Sequence, residues 1–171
     1  MVPSVIAAPA WRAMQADDLD GVVATARACF PDHFEALACF AERLALYPQG
    51  CLVLAAGTQV QGYCIGYPWP LGAIPPLDSL LGELPDARDA YYLHDLALMP
   101  HVRGQGFAAQ GLDRLTAVVR GAGGEVIALV SVNETARFWD ALGFRAAGAS
   151  PALVRKLQSY GEGATYMTRA V

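Results

Sequence analysis

Residues 101–111 read His101-Val102-Arg103-Gly104-Gln105-Gly106-Phe107-Ala108-Ala109-Gln110-Gly111. Glycine admits a positive φ and lets a backbone pass close to a ligand where a Cβ would intrude. The stretch follows residues 91–99 (YYLHDLALM), which have strand character and are closed by Pro100. It opens a helix predicted over residues 107–122, with Leu112, Leu115 and Val119 on the apolar face. Free amides and partial positive charge gather at such a helix N-terminus. The turn therefore predicts a pyrophosphate cradle on the amides of Gly104, Gln105, Gly106 and Phe107, with Arg103 adding a full charge. Small Ala108 and Gly111 let the helix approach the sheet.

Two other readings of the turn stay open. One is a plain joint between strand and helix. The other is a dinucleotide fingerprint, since Gly104-x-Gly106-x-x-Ala109 fits G-x-G-x-x-G/A. Against the fingerprint stand residues 99–103, which separate strand from glycines and include a proline. The strand also comes late in the chain, and Glu125, the acid at the expected distance, opens the next strand instead of closing it.

Outward from the turn, residues 125–132 (EVIALVSV) read as a buried strand and Asn133 as the cap of a short helix ending at Gly143. One strand is expected after Phe144 and another over 165–171. Upstream, a strand is expected over 10–14. A helix capped by Asp17 or Asp18 follows, then a second with Phe34, Leu37, Ala41 and Leu44 on one face. Residues 51–56 and 60–67 read as a hairpin. Residues 68–88 are rich in proline, and Trp69, Leu71, Ile74 and Leu77 predict a packed flap. The order predicts an α+β fold with a mixed, mostly antiparallel central sheet flanked by helices, as a single domain over 1–171.

Composition narrows the function. The chain has 171 residues, a formal net charge of −4 and one lysine, Lys156. No basic block exists, so no nucleic-acid partner is expected. No apolar run reaches the roughly 18 residues of a membrane span, and MVPSVIAAPAW lacks the basic start of a signal peptide. A cytoplasmic protein without a membrane partner is expected. Cys29, Cys39, Cys51 and Cys64 form no C-x-x-C pair, and His33 and His101 lack ligand spacing, so no metal is predicted.

The strand LHDLALMP, the core Arg103-Gly104-x-Gly106 and the later NETARFWDALGF together resemble the Gcn5-related N-acetyltransferase (GNAT) family. The family's glycine motif begins with Gln or Arg where this chain has His101. The later motif matches Asn133, Phe138-Trp139 and Leu142-Gly143-Phe144. The resemblance is strongest over 91–144, and the order of elements before it also fits. It implies the GNAT acyltransferase fold, acetyl-CoA as acyl donor, an amine acceptor, and a homodimer as an open option.

The resemblance implies that the pyrophosphate sits on amides from Arg103 to Ala108. The pantetheine arm runs beside Leu96, Ala97 and Leu98, with Asn133, Phe138 and Trp139 along its channel. A backbone amide near Leu98 would donate to the thioester carbonyl. Direct attack needs a neutral amine, hence a base. Alternation along the strand puts His94 on one face with Leu96 and Leu98, and Asp95 on the other. Residues 93–98 also resemble arylalkylamine acetyltransferases, in which a histidine here helps to deprotonate the amine. His94 is therefore the expected base and Asp95 an orienting or structural carboxylate. Where many relatives carry a tyrosine acid, this chain has Trp139, whose indole cannot serve as one. Tyr160, beside two glycines, is the candidate acid; otherwise the thiolate leaves unassisted. The acceptor, a small-molecule amine, is expected between residues 30–33, the flap with Asp78, Glu83 and Asp86, and the tail near Tyr160. A non-catalytic acyl-CoA-binding module is the alternative function.

Overall fold

The structure is a computed structural model that describes residues 7–171. The first six residues of the apolar N-terminal stretch lie outside that range. One seven-stranded sheet has the order β1-β2-β3-β4-β5-β7-β6. Its strands are β1 (Ala10–Ala13), β2 (Cys51–Ala56), β3 (Gln59–Trp69), β4 (Ala90–Leu98), β5 (Val126–Ser131), β6 (Arg145–Ala146) and β7 (Thr165–Ala170). The helices are α1 (Leu19–Cys29), α2 (Leu37–Leu46), α3 (Phe107–Gly121), α4 (Ala136–Ala141) and α5 (Pro151–Gln158). The β4–β5 pair is parallel and the other neighbours are antiparallel. This is the mixed, mostly antiparallel α+β sheet that the pattern of elements predicts.

The sheet buries side chains on both faces. Val22, Phe40, Tyr63 and Tyr67 pack on the face covered by α1 and α2. Leu112, Leu115, Val119 and Phe144 pack on the face covered by α3 and α4. Each such side chain contributes roughly 1.5–3 kcal/mol. A Cβ at Gly111 would stand 2.6 Å from the Trp11 ring, so this glycine lets α3 lie close to β1. The Trp11 indole donates to the Phe107 carbonyl at 2.9 Å and fixes the start of α3.

Several local expectations are corrected. Asp18 holds the N-cap position of α1, but its side chain makes no cap hydrogen bond there; its carboxylate pairs with Arg12 at 2.7 Å and accepts from the Gln15 amide. Helix α2 starts at Leu37, after Phe34, and buries Cys39, Phe40 and Arg43 instead of a Phe34–Leu37 face. Pro68 and Trp69 belong to β3, paired with Tyr91 and Ala90. The proline is tolerated because β2 stops pairing at Ile65, leaving that side of β3 without a ladder. Asn133 does not cap α4; it sits at φ 53 in the turn before it, and Thr135 takes the cap position. Helix α5 was not expected, although Ser150-Pro151 is a start signal: the Ser150 hydroxyl accepts from the Leu153 amide.

The flap packs through Ile74, with Trp69 and Leu77 partly buried, whereas Leu71 is exposed. Ile74 is buried in the core, and the Glu42 carboxylate accepts from the amides of Leu81 and Gly82. No helix among the described residues is long and apolar enough to cross a membrane.

Candidate active site

Strands β4 and β5 pair only at Tyr91↔Ile127 and Tyr92↔Ala128, then part. A cleft of about 710 Å³ opens between them. It passes through the sheet, since residues from both faces line it: Tyr92 and Tyr160 from one, Leu93 and Trp139 from the other. Beyond Tyr92 the β5-facing backbone of β4 has no strand partner. His94 shows the consequence. Only 4% of its side chain is exposed, yet the residue as a whole is half-buried, so its main chain faces the cleft.

Past the end of β4, the glycine turn forms one rim of the cleft. Gly104 and Gly106 have φ of 73° and 84°, and Gly106 caps α3. A Cβ on either would meet nothing within 4 Å, so conformation and not local crowding requires glycine. The amides of Phe107 and Ala108 are the first of α3 and have no partner within the helix. Arg103, Gly104, Gly106, Phe107 and Ala108 line the cleft; Gln105 does not, and its side-chain amide donates to the His101 carbonyl at 3.0 Å. The Arg103 side chain turns back along the strand. Its Nε donates to the Leu98 carbonyl at 2.9 Å, beside the Cys29 thiol that donates to the same oxygen.

Across the sheet lies a buried cluster. His94 Nε2 is 2.5 Å from Glu35 Oε1, and Nδ1 is 3.3 Å from the Tyr67 hydroxyl. The Tyr63 hydroxyl donates to Asp95 Oδ2 at 2.8 Å. A ring nitrogen of His94 and a carboxylate oxygen from each of Glu35 and Asp95 all lie within 4.8 Å of one another. His94 and Asp95 therefore share a face, contrary to simple alternation. The cause is a β-bulge: Ile65 pairs with Asp95 and Gly66 with Leu93, leaving His94 without a partner on β3. The bulge turns His94 away from Leu96 and Leu98 and toward α1 and α2. Glu35, from the α1–α2 linker, was not expected in the site, because nothing local marks an acid 59 residues away as the partner of His94.

The cluster shifts its own titrations. Burial pushes Asp95 up to about 6, against the pull of His94. Burial alone would lower His94, but the carboxylates of Asp95 and Glu35 outweigh it and raise the imidazole above its ordinary value. Burial alone would raise Glu35, but His94, then Arg43, hold it below the usual range. Arg43 is itself buried on α2, with Nη1 donating to the Ser79 carbonyl at 3.0 Å.

The family model for the acetyltransferase (GNAT) family matches residues 13–144. The chain belongs to this family. No curated protein matches the sequence. Among solved structures, the GphF GNAT-like decarboxylase in complex with isobutyryl-CoA aligns with TM-score 0.72 and 20% identity, covering 94% of this chain and 98% of that one. Ard1 from Thermoplasma volcanium aligns with TM-score 0.72 and 16% identity, covering 96% and 98%. The loading GNATL domain of CurA from Lyngbya majuscula aligns with TM-score 0.77 and 13% identity, covering 95% and 97%. These likenesses establish the GNAT fold.

Within this GNAT chain, the remaining expected residues are brought to the cleft in different ways. Leu96, Ala97 and Leu98 line it along β4, and Asn133, Phe138 and Trp139 line it from the α4 side. Phe138 is exposed, whereas Trp139 is buried edge-on against Phe144. Tyr160 reaches the cleft, but its hydroxyl donates to the Pro75 carbonyl at 2.6 Å. Burial pushes that phenol up to about 12, a poor source of protons for a thiolate. The flap acids are not among the residues that line the cleft: Asp78 accepts from the Ala36 amide at 2.8 Å, and Glu83 and Asp86 are exposed. The carboxylates that line it are Glu35 and Asp95.

Proposed function

We propose that this GNAT protein transfers the acetyl group of acetyl-CoA to the primary amine of a small molecule by direct attack. The carrying observation is one continuous cleft. It joins the free backbone of β4 and the N-terminus of α3 to the buried Glu35–His94 pair on the far side of the sheet. Solved neighbours include proteins in complex with CoA or isobutyryl-CoA, which supports an acyl-CoA donor.

Acetyl-CoA supplies an activated thioester. The amides of residues 103–108 would hold its pyrophosphate, and the unpaired edge of β4 at Leu96, Ala97 and Leu98 would hydrogen-bond its pantetheine arm. Holding amine and thioester together lowers the barrier by up to roughly 7–11 kcal/mol. The amine proton enters the pair at Glu35, which lines the cleft, and is held between Glu35 and His94, since both ring nitrogens of His94 are engaged. Asp95 raises the affinity of the pair for that proton and acts as a positioning residue. With Trp139 unable to donate and Tyr160 tied to Pro75, the thiolate leaves without a proton from the protein.

Thermal-shift measurements with acetyl-CoA, CoA, NAD and NADP, followed by thiol release against a panel of amines, test the reading. Stabilisation by the CoA species and thiol release dependent on an amine are expected. Tight acetyl-CoA binding with no turnover of any amine or peptide would overturn it in favour of a non-catalytic acyl-CoA module.

A further inference from the structure

Helix α2 carries a buried cation. Only 2% of the Arg43 side chain is exposed, and an arginine keeps its charge inside a protein. One nitrogen makes its hydrogen bonds: Nη1 donates to the Glu42 carboxylate at 2.9 Å and to the Ser79 carbonyl at 3.0 Å. Nε and Nη2 are shielded from solvent and have no hydrogen-bond partner among the described residues. Glu42 is shared, since its oxygens also accept from the amides of Leu81 and Gly82. A buried cation with bare donors is costly. Its position shows what the charge can do. The guanidinium carbon lies 5.9 Å from the centre of the Tyr67 ring, within cation–π reach. The Tyr67 hydroxyl is 3.3 Å from His94 Nδ1. Tyr67 therefore touches both the cation and the imidazole.

The other groups around His94 are of two kinds. Glu35 from the linker and Asp95 from β4 are acids. Tyr63 and Tyr67 from β3, Tyr92 from β4 and Tyr160 from the tail are phenols that burial pushes up, so they stay neutral near neutral pH. Two thiols stand close to the acids, Cys29 at the end of α1 and Cys39 on α2, the latter raised by burial. Arg43 supplies the positive charge. Burial lowers His94, the two carboxylates raise it and prevail, and Arg43 works against them. Beside two carboxylates with no opposing charge, the pair would hold a proton too tightly to be a base again at neutral pH. We propose that Arg43 is a positioning residue for the Glu35–His94 pair, a fixed positive charge against Tyr67 that keeps the pair able to release the proton it takes from the amine. This rests on the acetyltransferase reading above for the use of the proton, and the coupling of Arg43 to His94 can be measured without it.

Arg43→Met removes the charge and Arg43→Lys keeps it. The chain has three histidines, His33, His94 and His101, so NMR titration of the full chain labelled with ¹⁵N-histidine follows His94 directly. In Arg43→Met the His94 midpoint should rise by about one pH unit. In Arg43→Lys it should stay close to wild type, and the exposed His101 should not move in either. Removing one partner of a buried ion pair can cost the fold. Glu42→Gln combined with Arg43→Met removes both charges, and there the His94 midpoint should still rise, by less. A midpoint that stays or falls in the methionine variants overturns the proposal. So does an equal rise in Arg43→Lys, which would make the bond to Ser79, and not the charge, responsible.

Kinetics give a second readout, with whichever amine of the panel releases thiol fastest. Below the inflection, kcat/KM of Arg43→Met should be about tenfold under wild type, the equivalent of one pH unit. The ratio should return toward one as pH rises past the new inflection, and Arg43→Lys should restore it at all pH values. KM for acetyl-CoA should not change. A loss that no pH restores would make Arg43 merely structural and overturn the proposal. A raised His94 midpoint in a protein that acetylates no amine would sink the acetyltransferase reading and leave the coupling standing.

Discussion

The two ends of the cleft are built from different materials. At the end proposed for the donor, the glycine turn and the open edge of β4 offer main-chain groups, and side chains do little: Gln105 turns away and Arg103 folds back to Leu98. At the end proposed for the acceptor, side chains dominate. They come from the α1–α2 linker, the bulge in β4, the flap and the tail, joined by contacts such as Glu35–His94 and Tyr160–Pro75. A main-chain site depends on conformation, so it tolerates most substitutions except at its glycines. A side-chain site depends on charge balance among buried groups, so single-atom changes in its residues reach the chemistry.

The largest effect expected from this contrast is at the acceptor end. His94→Gln retains an amide that can hydrogen-bond Glu35, whereas alanine would leave that buried carboxylate unpaired. With the proton-holding ring gone, kcat should fall by about 10²–10⁴, the usual contribution of a general base. The dissociation constant for acetyl-CoA, measured by calorimetry, should stay within about threefold, because no donor-end contact is touched. A variant with unchanged kcat would remove His94 from the chemistry and erase the difference between the two ends.

A smaller effect of the opposite kind is expected at Gly106. An alanine there must adopt φ 84°, which costs roughly 1–2 kcal/mol for a residue with a Cβ, although the space beside it is open. Part of that cost should appear as a lowered melting temperature. Part should appear as weaker acetyl-CoA binding, about tenfold if the turn relaxes away from its cradle shape. KM for the amine should not change. Loss of amine affinity with acetyl-CoA binding intact would mean that the ends are not built separately.

The same contrast decides what could be read from the sequence. The glycine turn was legible because its requirements are local: a strand closed by Pro100, glycines at positive φ, and a helix whose apolar face repeats at Leu112, Leu115 and Val119. The sheet was legible for the same reason, down to residues 51–56 as a strand. The acceptor end was legible only as a neighbourhood. His94 and Asp95 stood out as polar groups in an apolar strand, but their common face depends on a bulge that the alternation conceals. Glu35 is one of two acids in its linker, and its pairing with His94 appears only when β4 arrives beside it. The flap acids looked more prominent in sequence, yet Asp78 serves the Ala36 amide. Helix α5 was missed although Ser150-Pro151 signals it, because the short segment after it has few large apolar residues.

The finest effect expected lies within the acceptor cluster. Asp95 accepts from Tyr63, and an asparagine can keep that bond through its Oδ1. What Asp95→Asn removes is charge. The Asp95 carboxylate is the foremost influence raising His94, ahead of Glu35, so its loss must lower the histidine. On the proposed mechanism, the Glu35–His94 pair of the wild type takes up the amine proton only above the raised pKa of His94, so the rate should rise with pH through an inflection above the ordinary histidine value of about 6.5. In Asp95→Asn that inflection should move to lower pH. The acceptor should be a weakly basic aromatic amine, so that its own titration does not overlay the profile. The variant also loses an ionised group that burial holds up to about 6, above its unfolded value. Such a group is disfavoured in the folded state once ionised. The gain in stability over wild type should therefore grow as pH rises from the unfolded value toward 6 and then level off. A shift of the inflection to higher pH would reverse the sign of the coupling and place Asp95 outside the field of His94.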